Sequence, residues 1–161
     1  MKRCWLHIGM HKTGTTSVQA GLHRLSGIKG WKYLSMGNNP NMGALLYTMF
    51  ASSPDRSHWY QKRGSSPEQV AAKRASLRAK LSDGIRKYDK DNMILSGESL
   101  TLIDPAGIAD LKHFLDPFYD EIKVIGYVRP PMAFKVSLFQ QRLKHSACKF
   151  DFSDFRLDYL K

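Results

Sequence analysis

Two periods of apolar and polar positions run through this chain. Residues 3–9, Arg-Cys-Trp-Leu-His-Ile-Gly, are mostly apolar without clean alternation, the pattern of a strand covered on both sides. After a glycine turn, Val18, Leu22 and Leu25 recur at helical spacing. Residues 31–35 read as a weak second strand, Gly37, Asn38, Asn39 and Pro40 as a turn, and residues 41–51 as a short helix. Residues 52–67 are polar, contain two Ser-Pro pairs and carry His58, Trp59 and Tyr60 in the middle, which predicts a surface loop with the character of a lid. The clearest helix covers residues 68–88. Its apolar stripe is Val70, Leu77, Leu81, Ile85 and Tyr88, and Lys73, Arg74, Arg78, Lys80, Arg86 and Lys87 crowd the remainder as a solvated basic face.

Residues 93–96 form a short strand pattern. Asp104 followed by Pro105 is an N-cap and first-turn proline, opening a helix through Leu115. Residues 122–128 are a nearly continuous apolar strand, and Pro130 or Pro131 opens a further helix to about residue 144. Strands alternate with helices, and each connection is long enough to cross over. The expected class is therefore α/β, a three-layer fold with a central parallel sheet and helices on both faces. In such sheets ligands bind beyond the carboxyl ends of the strands. The first glycine turn, Glu98 and Arg129 all fall just after strand ends and are expected on one edge.

Composition narrows the partners. The chain has 161 residues and 42% apolar composition, enough for one domain with a real core. Its net charge of +11 favours anionic partners such as nucleotides or charged sugars, without choosing among them. Cys4 and Cys148 lie far apart and make neither a disulfide framework nor a metal-ligand spacing; Cys4 reads as a small buried hydrophobe. No run approaches the roughly 20 apolar residues of a membrane span. No leader pattern opens the chain, so a reducing cytoplasm is the expected location.

Chemistry concentrates at two places. Residues 12–17, Lys-Thr-Gly-Thr-Thr-Ser, connect the first strand to the first helix. Gly14 permits a tight turn near an anion, and hydroxyls meet the positive end of the helix dipole. The lysine precedes the glycine by two, which is not the Walker A arrangement. The second place is Arg129, after the 122–128 strand, with Ser137 eight residues on. A guanidinium and a hydroxyl suit a second phosphate. An ordinary strand–turn–helix connection and a surface arginine are the plain alternatives.

Lys12-Thr13-Gly14-Thr15-Thr16 followed by Arg129-Pro130-Pro131 and Ser137 resembles the sulfotransferase family of bacterial type, whose sulfate donor is 3′-phosphoadenosine-5′-phosphosulfate. The resemblance spans roughly residues 4 to 145. It implies a P-loop-like fold, and it implies that Lys12, Thr13, Gly14, Thr15, Thr16 and Ser17 hold the 5′-phosphosulfate while Arg129 and Ser137 bind the 3′-phosphate. Pro130 stands where the family has aspartate, and Phe134 where a basic residue is common. Members of the family generally continue further, so a single domain over residues 1–161 that lacks its C-terminal part is expected.

Sulfuryl transfer is an in-line displacement, and charge grows on the leaving phosphate oxygen. Lys12 is the group to stabilise that charge. Glu98 is the candidate general base and His11, beside Lys12, the reserve. No metal is called for; His7 and His11 straddle a strand and a loop and do not share a helix face. The implied acceptor is a small molecule or carbohydrate bearing a hydroxyl or amine, with no specific nucleic acid. Two other classes stay open: a non-catalytic nucleotide- or polyanion-binding remnant of the same fold, and, less favoured for want of a Walker A lysine, a P-loop nucleotide kinase.

Overall fold

The computed structural model describes residues 1–24, 29–88 and 92–145. Leu25, Cys148 and residues 150–160 lie outside them. The chain divides into two compact units, Met1–Val128 and the part beginning at Arg129.

The first unit is organised by four parallel strands: β1 (Arg3–Gly9), β2 (Trp31–Tyr33), β3 (Asn92–Gly97) and β4 (Glu121–Tyr127), in the order β2-β3-β1-β4. Its helices are α1 (Thr15–Arg24), α2 (Gly43–Phe50), α3 (His58–Lys62), α4 (Pro67–Lys87) and α5 (Pro105–Leu115). The second unit carries α6 (Pro131–His145). The expected α/β class and parallel sheet are observed. No helix among the described residues is long and apolar enough to cross a membrane.

Register assigns the two faces of the sheet. Cys4 pairs with Met93 and Ile122, and Leu6 with Leu95 and Val124, so these side chains share one face. That face meets α2, α4 and α5 in the main core, where Leu46, Met49, Phe50, Leu81, Ile85 and Leu115 are buried with the strand residues. The opposite face carries Trp5, His7, Ile94 and Ile125, with Val18 and Leu22 of α1 over them. The chain thus leaves β1 toward one face and β3 toward the other.

Local signals explain the helix starts. Ser66 caps α4 by accepting from the Gln69 N–H, while the Gln69 side chain accepts from the Ser66 N–H, and Pro67 occupies the first turn. Asp104 caps α5 by accepting from the Gly107 N–H at 3.0 Å.

Helices lie on both faces of the sheet, α1 on one and α2, α4 and α5 on the other, but cover over β4 is sparse. Ile122 packs against the core, but Val124 is 62% exposed and Tyr127 51%. β4 is a sheet edge among the described residues, and the helices of this unit cluster over β1 and β3. Residues 52–67 are not a plain loop: a 3₁₀ turn (Pro54–Arg56) and α3 lie within them. Trp59 stacks edge-on against Tyr47 with ring centroids 5.7 Å apart, and the Tyr60 hydroxyl meets the Thr48 hydroxyl at 3.1 Å. The aromatic run therefore fastens this segment to α2. Finally, the basic face of α4 is not uniformly solvated. Arg74 and Arg78 both donate to the carboxylate of Asp110 on α5. Each also reaches a carbonyl near the end of α2, that of Ala51 or Met49.

Candidate functional site

The site begins at the carboxyl end of β1. A Cβ on Gly9 would overlap the Thr15 side chain, so glycine is what lets α1 start directly above the strand end. The connecting turn holds Lys12 at φ 67° and Gly14 at φ 84°. The left-handed region is easy for Gly14 and unusual for Lys12, whose main chain is held there by the turn around it. Thr13 donates its hydroxyl to the Met10 carbonyl at 2.7 Å. The Gly14 carbonyl accepts from the N–H groups of Ser17 and Val18, which starts the helix. The N–H groups of Thr15 and Thr16 then have no carbonyl partner within the helix. Space beside Gly14 is open, since a Cβ there would meet nothing within 4 Å. The turn can therefore accept an anion against backbone N–H groups.

The second part of the site comes from β3. Glu98 follows its last residue and opens a 3₁₀ turn (Glu98–Leu102). Gly97 and Gly43 are in close contact there: a Cβ on Gly97 would lie 2.7 Å from the Gly43 Cα, and one on Gly43 2.8 Å from the Ser99 nitrogen. The start of α2 presses on the end of β3 through two glycines, and Met42 donates its N–H to the Ser96 carbonyl at 2.9 Å. This contact fixes where Glu98 emerges.

β1 and β3 are neighbours and their connections leave on opposite faces, so their carboxyl ends are the switch point of the sheet, where ligands bind in open α/β folds. Three predicted residues meet there. Glu98 accepts from the buried Thr15 hydroxyl through Oε1, and its Oε2 lies 3.2 Å from His11 Nδ1. The Glu98 side chain is 17% exposed and that of His11 is 59% exposed. Both carboxylate oxygens are engaged, while His11 keeps much of its ring in solvent. Thr16 and Ser17 are exposed on the first turn of α1, and Lys12 is half-buried.

A buried polar layer under the turn is absent from the sequence reading. Ser96 Oγ lies 2.7 Å from His7 Nδ1 and accepts from Gln19 Nε2 at 3.0 Å. This joins β1, β3 and α1 beneath the loop. The available signal was Gln19 standing four residues after Thr15, on the same side of the helix. Burial pushes the His7 ring below its ordinary histidine value, and the negative charge of Glu98 partly opposes this. Burial also pushes the Cys4 thiol up to about 12, which removes it from nucleophile chemistry.

Arg129 and Ser137 lie in the second unit. Arg129 comes two residues after β4 and is exposed; Ser137 is half-buried within α6. The first unit by itself brings together the 12–17 turn, His11 and Glu98. Among the described residues no group of three or more His, Cys, Asp or Glu side chains is placed to hold a metal ion. Comparison with protein-family models, with curated proteins and with solved structures found no match for this chain.

Proposed function

We propose that the chain is a sulfotransferase, moving a sulfuryl group from 3′-phosphoadenosine-5′-phosphosulfate to a hydroxyl or amine acceptor. The observation that carries this reading is the arrangement at the adjoining carboxyl ends of β1 and β3. It has a left-handed Lys12–Gly14 turn with helix-start N–H groups. It also has a carboxylate–imidazole pair. An anion-holding turn and a proton-accepting pair on adjacent strand ends are what a displacement at sulfur requires.

In this reading the N–H groups of Thr15 and Thr16, with the hydroxyls of Thr16 and Ser17, hold the 5′ end of the donor. Lys12 stabilises the charge that grows on the leaving phosphate oxygen. Thr13 shapes the turn, since its hydroxyl is spent on Met10. The oxygens of Glu98 are both occupied, which favours His11 as the group that takes the acceptor's proton and Glu98 as the group that orients it. Arg129 and Ser137 are assigned to the 3′-phosphate from the resemblance alone.

Thermal shift tests the donor assignment. Adenosine 3′,5′-bisphosphate without metal is expected to stabilise the chain, and ATP with magnesium is not. A response to ATP with magnesium only would overturn the reading in favour of a kinase. Arg129→Ala is expected to weaken bisphosphate binding by on the order of 2 kcal/mol; an unchanged affinity removes Arg129 from the site. Lys12→Ala is expected to abolish transfer while the far-ultraviolet circular dichroism stays native. Bisphosphate binding without any transfer to a range of acceptors would favour the non-catalytic remnant.

A further inference from the structure

Away from the carboxyl ends of β1 and β3, the first unit has a cleft of about 470 Å³ between the end of β2 and α4. Its volume falls in the range of small-molecule sites. Leu34, Met36, Leu45 and Leu77 give it an apolar floor, and Lys73 and Lys80 stand on its wall. Among the described residues no carboxylate lines it. Leu77 is buried and the two lysines are exposed, so the apolar floor and the positive rim belong to one helix face. The lysines are seven residues apart, two turns or about 10 Å along the helix. Neither is paired with a carboxylate among the described residues, unlike Arg74 and Arg78 between them, which share the carboxylate of Asp110. Two glycines keep the walls low: Gly37, in a left-handed turn, and Gly84, where an added Cβ would lie 3.3 Å from Leu34.

We infer that this cleft binds an amphiphilic organic anion, an apolar body carrying a carboxylate or sulfate, with the body on the leucine floor and the anion between Lys73 and Lys80. Charge complementarity selects the anion, because two unneutralised cations face a cavity without a compensating acid. The apolar floor selects a body with little hydration and disfavours a simple inorganic ion.

The cleft also has a place in the proposed reaction. Residues 34–37 continue from the carboxyl end of β2, the same sheet edge from which the 12–17 turn and Glu98 emerge. β3 and its Glu98 stand between β2 and β1. Leu45 of α2 lines the cleft two residues after Gly43, which packs on the Glu98 nitrogen. Resting on the sulfotransferase reading, the cleft holds the non-reacting part of the acceptor and thereby makes the acceptor itself an anionic amphiphile.

Binding to the intact chain tests the cleft independently of transfer. The probes are anilinonaphthalene sulfonate, an aromatic anion, and N-phenylnaphthylamine, its uncharged counterpart. The double variant Lys73→Glu with Lys80→Glu is compared with Lys62→Glu with Arg63→Glu, which makes the same change of charge at exposed positions outside the cleft. The cleft variant is expected to bind the sulfonate about tenfold more weakly, with the uncharged probe unaffected. The control variant is expected to bind both as the parent does. Equal sulfonate affinity in the parent and the cleft variant, or an equal loss in both double variants, overturns the inference. Adenosine 3′,5′-bisphosphate is titrated into the same samples. If it fails to bind while the sulfonate behaves as expected, the donor reading falls and the cleft stands. If it binds to every variant while sulfonate affinity never changes, the cleft falls and the donor reading stands.

Discussion

At the residue scale, Gly9 is a tightly constrained position. Any side chain there meets Thr15, and the first turn of α1 cannot retreat without losing the Thr15–Glu98 hydrogen bond. Gly9→Ala is expected to cost about 1–3 kcal/mol in urea unfolding, the usual range for overpacking. It should weaken bisphosphate binding as well, because the same displacement moves the turn. His7 makes a second prediction at this scale. An exposed histidine protonates near 6.5, whereas the buried ring takes its proton only at lower pH. Between those values the unfolded chain binds more protons, so stability rises with pH. The His7 contribution is complete above the unfolded value and is lost as pH falls from about 6.5 toward the folded value. Unfolding midpoints measured between pH 7.5 and pH 5 should fall on acidification, and His7→Gln should flatten that slope. The same slope in the variant would assign the effect elsewhere.

At the scale of elements, the join between α4 and α5 depends on one carboxylate. Asp110 accepts from both Arg74 and Arg78, and their hydrogen bonds and charges hold its carboxyl below the usual carboxylate range. Arg78 also lies over the rings of Phe50 and Phe114, 4.9 Å and 5.1 Å from their centroids, so the same guanidinium covers the core. Asp110→Ala is expected to lower stability by about 1–2 kcal/mol, the scale for removing hydrogen bonds to a charged group. Chemical denaturation of the variant, with Lys112→Ala as a surface comparison, measures it. Helical periodicity made α4 plain, together with its buried stripe of Val70, Leu77, Leu81 and Ile85. It did not separate Arg74 and Arg78 from Lys73 and Lys80, because all four lie off the stripe. What divides them is the position of α5, to which the stripe carries no reference. α3 was hidden for a different reason: five residues are too few to establish a period.

At the scale of the whole molecule, strand order sets both stability and site. Among the described residues of the first unit β1 and β3 are central and flanked on both sides, whereas β2 and β4 are edges. Native-state hydrogen exchange should be slowest in β1 and β3 and faster in β2 and β4. Equal protection across the four strands would show that the sheet opens as one unit. The order also explains why the candidate site lies where it does. The chain turns to opposite faces after β1 and β3, which brings the 12–17 turn and Glu98 together at the switch point.

Much of this was readable in the linear chain because the signals are local. The strands and most of the helices follow from apolar periods a few residues long, and their starts from caps such as Asp104 and Ser66. The 12–17 turn announced itself through the order lysine, glycine, hydroxyl. Tertiary structure alone decided which groups meet. Thr15 and Glu98 are 83 positions apart, and no period or cap links them. They touch because β1 and β3 became neighbours with divergent connections, and strand order is settled by packing over the entire sheet. The exposure of β4, the inward turn of Arg74 and Arg78, and the division of Glu98 between Thr15 and His11 have the same origin. Each depends on where a distant element came to rest, and local sequence records only what an element needs, not which neighbour supplies it.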